Sequence, residues 1–160
     1  MKAFHIRPVN KDDRPWVTSM LIREWGSARI VTRGKIFQAD ELPGFVATQN
    51  GKTVGLITYR IDGRECEIGS MNSEVERVGI GSALVEAVKK AAQSAKCRRL
   101  WAITTNDNMD ALRFWQKRGF MLVAVYPNAM KESRKLKPEI GLVGNDGITI
   151  RDEIELEMIL

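Results

Sequence analysis

Histidine, tyrosine and cysteine are scarce in this chain: 160 residues include one His, two Tyr and two Cys. Two cysteines, Cys66 and Cys97, are too few for a disulfide framework, so we expect free thiols and a cytoplasmic protein. No spacing of Cys and His matches a zinc site. No apolar run is long enough to cross a bilayer, and residues 1–7 have no signal-peptide core. We therefore expect no membrane partner.

The composition is that of an ordinary globular domain, with 44% hydrophobic and 28% charged residues. This length predicts one domain over residues 1–160. The net charge of +5 fits either simple solubility or a polyanionic partner. Several basic residues follow a glycine-rich stretch: Lys89, Lys90, Lys96, Arg98 and Arg99. They suit a phosphorylated small molecule, and nucleic acid is the weaker alternative because no nucleic-acid-binding motif accompanies them.

The first part of the chain predicts a strand, a helix and a loop. Residues 4–7 form the strand, and Asp12 or Asp13 caps a helix that tolerates Pro15 in its first turn. The apolar face of this helix consists of Val17, Met20, Leu21 and Trp25. Residues 26–43 have weak periodicity and predict a loop with one short helix.

Two hairpin signals follow this loop. Asn50-Gly51 and Asp62-Gly63 divide residues 45–71 into three strand-like runs. Both dipeptides suit type I′ turns, which require positive φ at both central residues. The sequence therefore predicts a three-stranded antiparallel meander.

Helices and strands alternate in the second half. Residues 81–95 predict a helix whose apolar stripe is Leu84, Ala87, Val88, Ala91 and Ala95. Strands are predicted at 100–104 and 121–126, with a helix over 108–118 between them. That helix ends at Gly119, and its cap is Asn106, Asp107 or Asn108.

The remaining segment predicts a basic helix and a final strand. The helix falls within residues 131–137 of a long connection, and the strand near residues 149–159. One face of this strand is apolar, with Ile150, Ile154, Leu156 and Met158. The other face, with Arg151, Glu153, Glu155 and Glu157, is expected to face solvent. The whole order predicts a mixed, mostly antiparallel sheet of six to seven strands with helices on both faces.

The most informative stretch is residues 76–84, Glu-Arg-Val-Gly-Ile-Gly-Ser-Ala-Leu. It joins the strand ending near residue 71 to the helix over 81–95. Gly79 and Gly81 allow the backbone to approach a ligand closely. The N–H groups and the positive dipole at a helix start bind anions, so this stretch predicts an anion site.

Two familiar phosphate-binding motifs fit this stretch poorly. A P-loop needs Gly-Lys-Ser/Thr, whereas Gly81 is followed directly by Ser82. A dinucleotide fingerprint needs a third small residue, where this chain has Leu84, and a parallel sheet rather than an antiparallel meander.

The stretch resembles the Gln/Arg-x-x-Gly-x-Gly/Ala motif of the GNAT superfamily of acyl-CoA-dependent N-acyltransferases, with Glu76 at the first position. Residues 108–120, Asn-x-x-Ala-x-x-x-Trp-x-x-x-Gly-Phe, are similar to a second motif of that family, which usually has Tyr at the Trp position. The order of elements over residues 4–126 also matches. The resemblance implies the GNAT fold and acetyl transfer from acetyl-CoA to a primary amine.

The resemblance also implies where CoA binds. The pyrophosphate lies at the backbone N–H groups of residues 78–82, with Arg77 as a source of charge, and the pantetheine arm runs along residues 71–73. The implied CoA-binding residues are Met71, Asn72, Ser73, Arg77, Val78, Gly79, Ile80, Gly81, Ser82, Asn108 and Trp115. Asn108 serves as a helix cap or as a contact to pantetheine, and Trp115 is a core residue that also allows a CoA contact.

Acetyl transfer to an amine requires a proton acceptor, since an amine with a pKa of ~10.4 is only ~0.04% neutral at pH 7. Family members often use a carboxylate on the strand before the motif, which here means Glu67, or Glu65 on the same strand face. A solvated strand face is the alternative explanation for both. Glu153 and Glu155 are the next candidates.

The oxyanion and the leaving thiolate need partners too. A backbone N–H near Met71 or Asn72 is the expected oxyanion donor. Trp115 cannot act as an acid, because an indole N–H does not ionise usefully. Tyr126, Tyr59 or water then takes that role, or the protein is a CoA-binding module that catalyses poorly.

The acceptor is a small-molecule or peptide amine that the sequence does not identify. By resemblance, its walls are residues 25–43 and 127–147. A homodimer is compatible with the sequence. A basic protein that binds nucleic acid on the same scaffold is a third alternative.

Overall fold

The computed structural model describes residues 3–74 and 79–160. In this part of the chain there are four α-helices and nine strands. The helices are α1 (Arg14–Trp25), α2 (Ile80–Ser94), α3 (Met109–Lys117) and α4 (Ala129–Leu136). The strands are β1 (His5–Pro8), β2 (Arg29–Thr32), β3 (Lys35–Gln38), β4 (Gly44–Gln49), β5 (Lys52–Asp62), β6 (Glu65–Ser73), β7 (Arg99–Thr105), β8 (Met121–Tyr126) and β9 (Glu153–Ile159).

The predicted fold class is confirmed. Seven of the described strands belong to a mixed sheet with flanking helices, and β2 and β3 form a separate two-stranded sheet. The chain divides into two compact units. Unit 1 comprises residues 1–28, 38–100 and 160, and unit 2 comprises residues 29–37 and 101–159. The expectation of a single domain stays a prediction.

Unit 1 contains the strand order β1-β4-β5-β6, in which every pairing is antiparallel. Helix α2 packs closely on this sheet at Gly55, where an added Cβ would lie 2.9 Å from Ile80 and 3.3 Å from Leu84. The buried residues of α2 are Ile80, Leu84, Val85, Val88 and Ala92. Of the predicted stripe, Leu84 and Val88 are buried and Ala87 and Ala91 are partly buried, whereas Ala95 was assigned wrongly: it is exposed, because it lies beyond the end of the helix.

The first hairpin turn is confirmed and the second is corrected. Asn50 and Gly51 have φ of 51° and 76°, as a type I′ turn requires. At the second turn, Asp62 pairs with Glu65, so the loop is Gly63 and the residue after it. Gly63, with φ of 60°, is the first central residue of this loop. That is the pattern of a type II′ turn, in which glycine takes the first central position.

Asp13, one of the two predicted caps, occupies the N-cap position of α1, but its side chain makes no capping hydrogen bond to this helix. Asn10 accepts hydrogen bonds from the backbone N–H groups of Asp12 and Asp13 and caps a short 3₁₀ turn, and Asp13 bonds back to the N–H of Asn10. The helix then begins at Arg14. Val17, Met20 and Leu21 are buried as predicted. The fourth residue of the predicted apolar face, Trp25, was assigned wrongly: it is 42% exposed, because it lies in the last helical position beside Gly26.

Unit 2 contains the strand order β7-β9-β8, in which β8 and β9 pair in antiparallel fashion. It also holds most of a hairpin, β2–β3, within the segment predicted as a loop. The turn of this hairpin is Arg33-Gly34, with φ of 49° and 76°. The expected short helix in that segment is a 3₁₀ turn at Ala39–Glu41.

The final strand corrects one further prediction. It begins at Glu153 rather than near residue 149. Glu153 and Glu155 are 3% and 5% exposed, so the charged face is not a solvent face. Leu156, on the other face, is fully buried. A period of two separates the faces of a strand but does not reveal that both are covered.

None of the helices in the described residues is long and apolar enough to span a membrane.

Candidate functional site

Strand β6 contains a one-residue bulge. Tyr59 of β5 pairs with Ile68, and the residue just before it in β5, Thr58, pairs with Ser70. In the described β5–β6 ladder this leaves Gly69 without a partner on β5. Bulges redirect the side chains that follow them and are frequent beside active sites.

The bulge decides which side chains of β6 share a face. Side chains alternate along a strand, and the extra residue reverses that alternation. The partners on β5 confirm the result: Glu67, Ser70 and Asn72 pair with Arg60, Thr58 and Leu56, which are alternate residues of β5. Glu67, Ser70 and Asn72 therefore lie on one face, which we call the polar face of β6.

Glu67 is the buried carboxylate of the polar face. It is 3% exposed, and Nη2 of Arg60 donates to its Oε1 at 3.1 Å. Glu65 is different, since its side chain is 51% exposed and pairs with Nε of Arg99. The solvated-face explanation therefore applies to Glu65, whereas Glu67 occupies the enclosed position expected of a catalytic carboxylate.

Two hydrogen-bonded pairs continue the polar face. The hydroxyl groups of Thr58 and Ser70 lie 2.7 Å apart, both buried, and either oxygen can be the donor. Further along, Nε1 of Trp25 donates to Oδ1 of Asn72 at 2.8 Å. The hydroxyl pair thus lies between the position of Glu67 and that of Asn72.

The backbone of β6 has two distinct edges. The N–H of Glu74 donates to the carbonyl of Val54 at 2.7 Å. Since antiparallel pairs alternate between bonded and non-bonded, the N–H of Asn72 also points toward β5. The N–H groups of Met71 and Ser73 point toward the opposite edge. Of the two predicted oxyanion donors, Met71 is the more suitable, because its N–H is not directed toward the neighbouring strand β5.

The glycine-rich stretch ends in the first turn of α2. Gly79 is the N-cap residue with φ of 87°, and its carbonyl accepts from the N–H of Ala83 at 3.0 Å. The N–H groups of a first helical turn have no acceptor within the helix, so an anion is a suitable partner for residues 80–82. Glu76, Arg77 and Val78 lie outside the described residues, and their predicted roles stay predictions.

In unit 2, Asn108 is the cap of α3. Its Oδ1 accepts from the N–H of Ala111 at 3.0 Å, which confirms the cap among the three predicted candidates. Trp115 is 6% exposed. Its ring lies 4.9 Å from that of Phe114, edge to face, and 5.0 Å from that of Phe120. Trp115 is therefore a core residue, and the predicted CoA contacts of both residues stay predictions.

Tyr126, which is partly buried, belongs to a polar cluster in unit 2 that joins the exposed Arg33 to the buried Glu153 and Glu155. Its hydroxyl donates to Oε1 of Glu155 at 2.8 Å. The guanidinium of Arg33 lies 5.2 Å from the centre of the Tyr126 ring, 5.9 Å from that of Trp101 and 3.6 Å from Oε1 of Glu155. The backbone N–H of Arg33 donates to Oε2 of Glu153 at 3.4 Å.

Sequence reasoning named Tyr126, Glu153 and Glu155 as candidates, but it did not place Arg33 beside them and it overlooked Trp101. Arg33 fell in a segment predicted as a loop, so nothing in the pattern placed it near β9. The other predicted tyrosine, Tyr59, stacks on Phe45 with ring centres 6.0 Å apart. Burial raises the pKa of Tyr59, which makes its hydroxyl a weaker acid.

The two cysteines are buried thiols. Burial raises the pKa of Cys66 to about 12 and also raises the pKa of Cys97. Thiolate nucleophiles need a lowered pKa, so neither cysteine suits nucleophilic catalysis. Within residues 3–74 and 79–160, no group of three or more His, Cys, Asp or Glu residues is arranged to hold a metal ion.

Comparisons with known proteins give the family of the chain. The sequence model of the Acetyltransferase (GNAT) family matches residues 10–120. The uncharacterized protein YdhI of Bacillus subtilis (strain 168) is 44% identical over 156 residues, which are 97% of this chain and 98% of that protein.

The fold is similar to two solved structures at low sequence identity. The IAA acetyltransferase from Bacillus cereus ATCC 14579 has a TM-score of 0.76 and 22% identity, over 98% of this chain and 99% of that chain. A GNAT family acetyltransferase from Elizabethkingia anophelis with acetyl-CoA bound has a TM-score of 0.71 and 20% identity, over 100% of both chains.

Proposed function

The chain belongs to the acetyltransferase (GNAT) family, and on that premise we propose that it transfers the acetyl group of acetyl-CoA to a primary amine of a small molecule or peptide. The observation that carries this proposal is the placement of buried Glu67 on the polar face of β6, four residues before Met71, whose N–H points away from β5. A base and an oxyanion donor thus belong to one strand.

The start of α2 supports the binding of acetyl-CoA. The CoA pyrophosphate is an anion, and Gly79 leaves room for it because glycine has no side chain at the cap. The N–H groups of Ile80, Gly81 and Ser82 are the proposed donors. The pantetheine arm then follows β6 past residues 71–73, which brings the thioester carbonyl to the N–H of Met71.

The reaction begins when the neutral amine attacks the thioester carbonyl carbon. A carbon–nitrogen bond forms, and the carbonyl oxygen becomes an oxyanion that accepts from the N–H of Met71. One such donor is worth ~10²–10³ in rate. The carbon–sulfur bond then breaks, the amide remains on the acceptor and CoA leaves as the thiolate.

Glu67 takes the proton that the amine loses. The β5 partners of Glu67 and Asn72 are four residues apart, which is about 13 Å at ~3.3 Å per residue. The carboxylate therefore works through a proton carrier rather than by direct contact with the amine. The hydroxyl groups of Thr58 and Ser70, or a water beside them, lie along this path.

The leaving thiolate has less need of an acid. An alkyl thiol has a pKa of ~8.5, so it departs tolerably as the anion and takes its proton from water. Tyr126 is an alternative proton donor, but its hydroxyl would first have to break its hydrogen bond to Glu155. Trp115 supports a second candidate function, a CoA-binding module with weak catalysis, because a buried indole replaces the phenol that the family usually has.

Two measurements test the proposal. Calorimetric titration with CoA should show binding, and acetyl-CoA with a panel of primary amines should release thiol in proportion to acetylated product. Binding without turnover on any amine would favour the weakly catalytic module. Absence of binding would contradict both functions.

A further inference from the structure

Trp25 is a large aromatic side chain that is fixed in place yet open to solvent. Its indole N–H donates to Oδ1 of Asn72 at 2.8 Å, and the residue is 42% exposed. Covering this ring surface with an apolar group of a ligand would be favourable. A side chain held in this way suits recognition, because little conformational entropy is lost when a ligand binds.

The last turn of α1 is attached to the end of β6 at two points. Besides the Trp25–Asn72 bond, Nη2 of Arg23 donates to Oε1 of Glu74 at 2.5 Å. Helix α1 then ends at Gly26, whose φ is 80° and whose N–H donates to the carbonyl of Ile22. The helix end and the strand end therefore hold the indole in a defined position.

The position of the indole relative to the proposed chemistry follows from the register of β6. Asn72 lies on the polar face together with Glu67 and Ser70, and it directly follows Met71. Neighbouring Cα atoms are ~3.8 Å apart, so the indole is bonded to the residue next to the proposed oxyanion donor.

We propose that Trp25 determines acceptor specificity, by providing an apolar surface for the part of the acceptor next to its amine. This inference rests on the proposed acetyl transfer. The acceptor class is a primary amine on an aliphatic or aromatic group, rather than on a short hydroxylated one. Asn72 acts in this step as a positioning residue, since it orients the indole.

The test compares phenethylamine with ethanolamine, which differ in the group attached to an otherwise similar aminoethyl chain. We expect the wild-type kcat/KM to favour phenethylamine at least tenfold. Trp25→Ala should remove most of this preference, mainly through a higher KM for phenethylamine. The affinity for CoA, measured by calorimetry, should remain unchanged and shows that the variant is folded.

A double-mutant cycle separates the ring from its attachment. Trp25→Phe keeps an aromatic ring but removes the indole N–H, and Asn72→Ala removes the acceptor of that hydrogen bond. If the bond positions the ring, their effects on the preference are not additive. Arg23→Ala is the comparison variant: it removes the Arg23–Glu74 contact but keeps the hydrogen bond of the indole, so it should reduce the preference less than Asn72→Ala does.

Three results would overturn the inference. Equal kcat/KM for the two amines in the wild type would show that the indole does not select, and so would an unchanged preference in Trp25→Ala. If the wild type acetylated neither these two amines nor any other primary amine, the proposed function itself would fail, and this inference with it.

Discussion

Arg60 reaches across the β5–β6 ladder and donates from Nη2 to Oε1 of Glu67 at 3.1 Å. This contact fixes the orientation of a carboxylate that is almost completely buried. A charge buried in such a place needs a partner, and Arg60 provides one to Glu67.

Glu67→Gln should lower kcat because the amide cannot accept the proton of the amine. The expected loss is ~10²–10⁴ in kcat, with acetyl-CoA affinity retained. Steady-state rates over a range of pH measure it. Glu65→Gln is the matched control on the same strand, and its exposed position predicts little effect. Full activity of Glu67→Gln at every pH would refute the assignment of the base.

Gly79→Glu should weaken acetyl-CoA binding, since it places a negative charge at the proposed pyrophosphate site. A loss of ~1.4 kcal/mol corresponds to tenfold in Kd, and we expect at least that from calorimetry. Gly51→Glu is the control, because Gly51 also has positive φ and open space around its Cα, but lies in a hairpin turn. Equal affinities in the two variants would argue against an anion site at the start of α2.

Asn108→Ala should reduce the free energy of unfolding by ~1 kcal/mol through loss of the cap of α3. Asn108→Ser keeps a capping oxygen and should recover most of that loss in urea denaturation. We expect the serine variant to bind acetyl-CoA as the wild type does. An equal loss of affinity in both variants would instead assign the Asn108 amide to the cofactor.

Asp13 should make stability depend on acid pH. The guanidinium of Arg7 donates to both carboxylate oxygens, at 2.7 and 2.8 Å, and together with the N–H of Asn10 it lowers the pKa of Asp13. A lowered pKa in the folded state means that the stabilisation is present above the unfolded pKa of ~3.9 and is lost as pH falls through the folded value.

Asp13→Asn should therefore lower stability at neutral pH by about 1.5–3 kcal/mol, the usual value for hydrogen bonds to a charged group. The difference from the wild type should shrink as pH falls below about 4. Urea midpoints across that range measure it. Asp12→Asn, at an exposed neighbouring position, should stay within about 0.5 kcal/mol of the wild type. A pH-independent difference would exclude the charge as the cause.

Local signals were sufficient for much of the fold. Asn50-Gly51 predicted its hairpin because that dipeptide tolerates positive φ at both positions. The same geometry occurs at Arg33-Gly34, but arginine is not a typical residue for it, and the β2–β3 hairpin was missed. Tertiary contacts of Arg33 with Tyr126 and Glu155 accompany the unusual turn, and such contacts cannot be read from local pattern.

The sequence did not indicate the environment of the candidate site residues. The sequence pointed to Glu67 through resemblance, and only the structure distinguishes it from Glu65 by burial. The solvent face expected for Glu153 and Glu155 is instead buried, since strand periodicity gives no information on what covers each face. The bulge at Gly69 had no signal either, because its partner strand sets the register.

Gly69 is one extra residue in β6 relative to its partner strand β5. If Gly69 instead paired with β5 as its neighbours do, regular alternation would turn Ser70 and Asn72 away from the face of Glu67. The bulge therefore sets the face of every side chain that follows it in β6. A relative's segment exchanged into this strand should keep Glu67 and Asn72 on one face when it retains the bulge, or when it lacks both the bulge and the extra residue.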